Sequence, residues 1–184
     1  MFGRWREQDI SLTIFFLLVF FLHHQVRLFG QGLDIVEVSD DGFGIPPESR
    51  PHVAERYTTS KISSFEDIYS GTGLTMGFRG EALFSMACLS AKLVVATRTE
   101  DEDMAQKLEF DRCGNLDPAS VQSIHRKIGT TVAVVQPFAA LPARRADMMR
   151  RIRGERAKLF RLMEACKFLA RFQLCNAVNW RSHI

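Results

Sequence analysis

Residues 36–48 read VEVSDDGFGIPPE, an alternating apolar run that ends in two acids and a Gly-x-Gly. Val36 and Val38 alternate with Glu37 and Ser39 as in a half-buried strand, and Asp40, Asp41, Gly42 and Gly44 break the pattern. A carboxylate at a strand end can accept a hydrogen bond from an exocyclic amine. Glycines at 42 and 44 let backbone approach a flat ring with no Cβ in the way. Asp40 is therefore a candidate for reading an adenine ring, although Asp-Asp-Gly is equally at home in an ordinary turn. A second glycine pair, Gly77 and Gly80 with Arg79 between them, stands directly ahead of a run of helix formers. Free N–H groups and the positive end of a helix dipole suit phosphate oxygens there. A glycine-rich helix entry beside a solvated arginine is the plain structural alternative.

The elements that must position these residues are legible in outline. Residues 26–29 and 33–39 flank Gly30-Gln31-Gly32 and read as a hairpin feeding the Asp40 motif. Pro46 and Pro47 can open a helix over 48–56. Residues 63–80, rich in Gly, Ser and Thr, read as a mobile loop able to act as a lid. EALFSMACLS, residues 81–90, predicts a helix. Residues 92–98, 106–112, 121–126 and 130–136 predict four strands in an antiparallel meander. Residues 146–173 place Ile152, Leu159, Leu162, Cys166 and Leu169 at the spacing of an amphipathic helix, which Gly154 weakens.

The chain of 184 residues is 46% hydrophobic and 24% charged, which excludes disordered and fibrous classes and allows one domain with its own core. Net charge is +3, yet residues 143–171 hold ten Lys or Arg against three acids, leaving the remainder net acidic. Such a run could touch DNA phosphates, or form the solvated face of a helix whose other side is apolar. The four cysteines show no metal-site spacing, nor do the five histidines, and free thiols in a reducing compartment are expected. ISLTIFFLLVFFL, residues 10–22, is too short for a membrane span, which needs about 20 residues, and lacks a small-residue cleavage site. It reads as a buried element or as a segment foreign to the fold.

GFRGEAL, together with VSDDGFGI, TTSKI and GTTVAVVQPFAALPARR in matching order and spacing, resembles the N-terminal ATPase of the MutL family of mismatch-repair proteins. Other members of the broader GHKL fold share D-x-G-x-G but carry different glycine loops, and GFRGEAL points to MutL, in the eukaryotic PMS-like branch. The resemblance runs from Val26 to the region of Arg171. It implies an α+β architecture of the GHKL (Bergerat) type, a two-layer α/β sandwich with a mixed sheet and helices on one face, incomplete at the N-terminus. Residues 26–184 would be a partial GHKL domain, and residues 1–25 a non-family apolar segment, expected from an artefact of the gene model.

The resemblance further implies ATP as the ligand, with Mg2+ in the intact family. Asp40 would bind the adenine amino group, Gly42 and Gly44 would shape the pocket, and Thr130 would support both from a neighbouring strand. Thr59, Ser60 and Lys61 would lie in the lid, and the amides of Gly77, Phe78, Arg79, Gly80 and Glu81 would wrap the triphosphate. Asp41 stands where the family usually has Asn. DNA, a second MutL-family subunit and MutS-type mismatch-recognition proteins are the implied partners, the nucleus the implied location, and no membrane is expected. Hydrolysis in the family depends on an earlier Glu-x-x-x-Asn helix that activates water and holds magnesium. The first asparagine here is Asn115, beyond the nucleotide motifs, so no catalytic residue and no metal ligand are assigned and hydrolysis is expected to be close to nil. The alternative is a nucleotide-independent DNA- or protein-binding fragment.

Overall fold

The computed structural model describes residues 24–58 and 80–167, with side chains from 25 to 161. Its strands are β1 (His24–Phe29), β2 (Ile35–Asp40), β3 (Lys92–Arg98), β4 (Ala105–Phe110), β5 (Gln122–Ile124) and β6 (Gly129–Val135). Its helices are α1 (Ala82–Leu89) and α2 (Pro142–Lys167). The strands form one sheet in the order β1-β2-β6-β3-β4-β5. Every pairing among the described residues is antiparallel, where a mixed sheet was expected. The meander also stops at β5. The next strand, β6, returns to the centre and inserts between β2 and β3, a placement that short-range sequence pattern does not encode.

Alternation and register together build the core. In β3, KLVVATR buries Leu93, Val95 and Thr97 and leaves the intervening residues half-buried. Val36 pairs with Val134, Val134 with Leu93, and Leu93 with Phe110. The row beside it runs Val38, Val132, Val95, Leu108. Both rows face one side of the sheet, where Ala54, Met86 and Ala87 from the helical layer and Leu159 from α2 close over them. Fully burying one such Leu or Phe contributes about 2–3 kcal/mol, so these two rows carry much of the stability. The helices thus sit on one face of the sheet, as the sequence implied.

Local departures have local causes. The helix expected over 48–56 is instead a 3-10 turn, Pro47–His52, with Pro51 inside it. That proline has no N–H to continue an α-helical ladder. Conversely, α2 begins four residues earlier than its apolar period indicates, because Pro142 is preorganised for a first helical turn. Arg145, in that turn, donates to the carbonyls of Leu33 at 2.7 Å and Pro137 at 3.0 Å, fastening α2 to the β1–β2 connection. Part of the basic run is therefore structural. Asp147 pairs with Arg151 and Glu155 with Lys158 along the helix surface, and buried Leu159 and half-buried Ile152 mark its apolar side. No helix among the described residues is long and apolar enough to cross a membrane.

Candidate nucleotide site

Three strand ends converge at Asp40. Val36 and Val38 face the helical layer, and alternation puts Asp40 on that face at the last residue of β2. Its Oδ1 accepts two backbone hydrogen bonds, from Gly42 N–H at 2.9 Å and from Thr130 N–H at 3.0 Å. Oδ2 accepts none among the described residues, so the carboxylate is fixed by one oxygen and offers the other. Thr130 pairs with Thr97 across β6 and β3, and their hydroxyls are 3.2 Å apart. Thr97 is fully buried, and its Oγ1 accepts from Ile45 N–H at 2.8 Å.

These bonds explain the glycine loop. Gly44 has φ 78°, and a Cβ there would lie 2.2 Å from the Arg98 carbonyl oxygen. The approach that demands glycine at 44 is thus to the end of β3, and it carries the loop over the end of that strand. Phe43, between the two glycines, is 88% exposed. Beneath the loop Arg50 is almost wholly buried. It donates Nε–H to Ile45 O at 2.9 Å, Nη1–H to Glu102 Oε1 at 2.8 Å and to Gln106 Oε1 at 2.9 Å, and Nη2–H to Glu102 Oε2. Glu102 also accepts from Thr99 N–H and Thr99 Oγ1–H, at 3.0 and 2.8 Å. Chiefly through Arg50, the Glu102 carboxyl is pulled from 4.5 to about 2.

Arg126 braces the same corner, donating to Asp40 O at 2.9 Å and to Thr131 Oγ1 at 3.1 Å. Partial burial lowers its own pKa, against the pull of Asp40 and Glu37. Sequence reasoning missed Thr97, Arg50, Glu102 and Arg126. Thr97 is one of several threonines in strand-like sequence, Arg50 fell inside an expected helix, and Glu102 is one of four acids in a row. No spacing rule separates them from solvated neighbours.

Of the residues singled out from sequence, Asp40, Gly42 and Thr130 are joined directly, and Gly44 is joined through β3. Gly80 and Glu81 stand at the start of α1 instead. Gly80 receives Tyr57 N–H at 3.0 Å, and Glu81 precedes the helix without a side-chain capping bond. No hydrogen bond or ion pair links this second cluster to the first among the described residues. Thr59, Ser60, Lys61, Gly77, Phe78 and Arg79 lie outside the described residues, as do residues 63–79 of the loop read as a lid. Asn115 sits between β4 and β5, with its amide donating to Asp111 Oδ2 at 3.2 Å. Among the described residues no group of three or more His, Cys, Asp or Glu is placed to hold a metal ion.

Comparison with solved structures places this architecture. The N-terminal domain of a DNA repair protein superposes with a TM-score of 0.67 at 30% identity, covering 86% of this chain and 44% of that one. The Aquifex aeolicus MutL ATPase domain complexed with ADP gives 0.59 at 21% identity, covering 86% and 52%. The ATPase region of Saccharomyces cerevisiae topoisomerase II gives 0.55 at 16%, covering 77% and 42%. The fold is that of the GHKL ATPases.

Sequence relatives narrow this class. The mismatch repair endonuclease pms1 of Dictyostelium discoideum is 37% identical over 77% of this chain, and the DNA mismatch repair protein PMS1 of Arabidopsis thaliana is 40% identical over 80%. The MutL of a Chelativorans strain is 36% identical over 79%. The chain is a homologue of the MutL/PMS mismatch-repair proteins over most of its length. It spans 13%, 15% and 22% of these three relatives. No family model matches it.

Proposed function

We propose that the chain binds ATP through Asp40 and serves as the nucleotide-binding part of a MutL/PMS-type mismatch-repair protein. The observation that carries this reading is the Asp40 carboxylate, held through Oδ1 by Gly42 and Thr130, with no hydrogen bond to Oδ2 among the described residues. Its donor set fits an adenine: Oδ2 accepts from the exocyclic amine, while the two backbone donors keep the other oxygen from turning into the site. Thr97 and Thr130 hold the pocket wall, and Gly44 keeps the loop low. The N-terminus of α1, with Gly80 and Glu81, serves as the phosphate end in this reading. When bound, ATP supplies the anhydride whose turnover drives conformational change in an intact protein.

Among the described residues none is placed to hold Mg2+. Asn115 is committed to Asp111, no earlier asparagine exists in the sequence, and no step is derived through the metal. Hydrolysis close to nil follows for this chain. Residues 26–184 form a partial GHKL unit in this reading, with residues 1–25 as a separate segment, and Thr59, Ser60, Lys61, Gly77, Phe78 and Arg79 join the site from the intervening segment. In the larger protein the partners are DNA, a second MutL-type subunit and MutS-type proteins, in the nucleus.

Isothermal titration of the chain with adenosine, ADP and ATP tests the reading. Wild type should bind all three. Asp40→Asn should weaken each by about 10- to 100-fold, some 1.5–3 kcal/mol for a hydrogen bond to a charged group. The fold should survive, because Asn Oδ1 still accepts from Gly42 and Thr130. Equal affinities in wild type and variant would reject Asp40 as the base-reading group.

A further inference from the structure

Residues 56–58 and 80–84 meet in a junction built around one cation. Tyr57 and Gly80 both adopt left-handed backbone, with φ of 67° and 58°. Gly80 has no alternative, since a Cβ would lie 2.4 Å from the Thr58 carbonyl oxygen. A tyrosine in that region is strained and persists only where its surroundings hold it. Arg56 does so: its guanidinium carbon is 4.7 Å from the centre of the Tyr57 ring and 5.8 Å from that of Phe84. Its Nη2 is 3.6 Å from Glu81 Oε1.

Phe84 lies in the first turn of α1, and Glu81 precedes that turn. One guanidinium thus bridges the chain entering residues 59–79 to the helix that follows them. On the other side, Gly114 is packed so closely that a Cβ would come within 3.2 Å of the Phe84 ring, and the neighbouring Ala54 is wholly buried. The Arg56 and Glu81 side chains are themselves 54% and 31% exposed. A pair so wet adds little to global stability. Its effect is on orientation, because it fixes how the first turn of α1 faces relative to Tyr57 and Thr58.

We propose that Arg56 is a positioning residue for the phosphate end of the nucleotide site: clasped over Tyr57 and Phe84, it aims the α1 N-terminus and so acts on the phosphate chain without acting on the base. This inference rests on the ATP reading given above. The test titrates the full 184-residue chain with ATP and with adenosine, in wild type, Arg56→Gln and Arg56→Lys. Arg56→Gln should lower ATP affinity about tenfold and leave adenosine affinity unchanged. Arg56→Lys should recover part of the loss, since an ammonium keeps its charge over the rings. Wild type that binds neither compound would end the nucleotide reading, and this inference with it. Wild type that binds both, with the same ATP-to-adenosine ratio in Arg56→Gln, would overturn the inference alone. Phe84→Leu, which removes one ring and keeps the charge, should cut that ratio about threefold. An unchanged ratio there counts against the clasp even if Arg56→Gln fails to fold.

Discussion

The two ends of the proposed site are held by opposite means. At the Asp40 end, backbone amides, a buried threonine and a buried arginine-carboxylate pair lock the loop against three strands. At the α1 end, a half-exposed arginine lies on two rings and faces a single carboxylate across 3.6 Å. The difference teaches where rigidity is required. In the proposed reading, a flat base would be met by geometry that does not move, and a flexible phosphate chain by a surface that can be re-aimed at small energetic cost.

The contrast is broken most severely through Glu102. Glu102→Gln leaves the nearly inaccessible Arg50 cation without its counter-charge and should destabilise the fold by about 3–5 kcal/mol, measured by urea unfolding. Next, Thr97→Val removes the acceptor for Ile45 N–H and the bridge to Thr130, for about 2 kcal/mol and a weakened adenosine affinity.

Acid should then act on the same end. The Glu102 carboxyl is depressed in the folded state, so its contribution is complete above its unfolded value of 4.5 and lost as pH falls toward about 2. Allowing for solvent contact, the loss should be about 1–2 kcal/mol over that window. Glu109 and Asp111 are lowered in the same direction, by Lys92 and by the Asn115 amide respectively, so the Glu102 share is the part absent from the same titration on Glu102→Gln. Smallest is the stability change in Arg56→Gln, about 0.5–1 kcal/mol by thermal melting, although its effect on the ATP-to-adenosine ratio is the larger signal. A melt displaced as far as that of Glu102→Gln would erase the distinction between the two ends.

What was legible in the sequence follows the range of the physics. Period-two alternation is local, and it located the β3 and β6 strands almost to the residue. The glycine motifs marked real constraints at Gly44 and Gly80, although the crowding atom at each is protein backbone, not ligand. At Pro51 the missing N–H prevails over the helical pattern around it. The return of β6 to the sheet centre was not legible, because it depends on pairing across some ninety residues, such as Ser39 with Thr131. The Arg50–Glu102 pair was hidden for the same reason: two ordinary charges in polar stretches become a buried contact only after the sheet closes.

The central position of β6 has a consequence for how the molecule is made. Without it, β1 and β2 are one hairpin and β3, β4 and β5 are another unit, with no strand pairing between them among the described residues. During synthesis both units can leave the ribosome and form early, since their contacts are local. They become a single sheet only when residues 129–135 emerge and slot between them. The carboxylate of Asp40 then gains its second backbone donor, from Thr130, so its fixed geometry is completed only when β6 arrives.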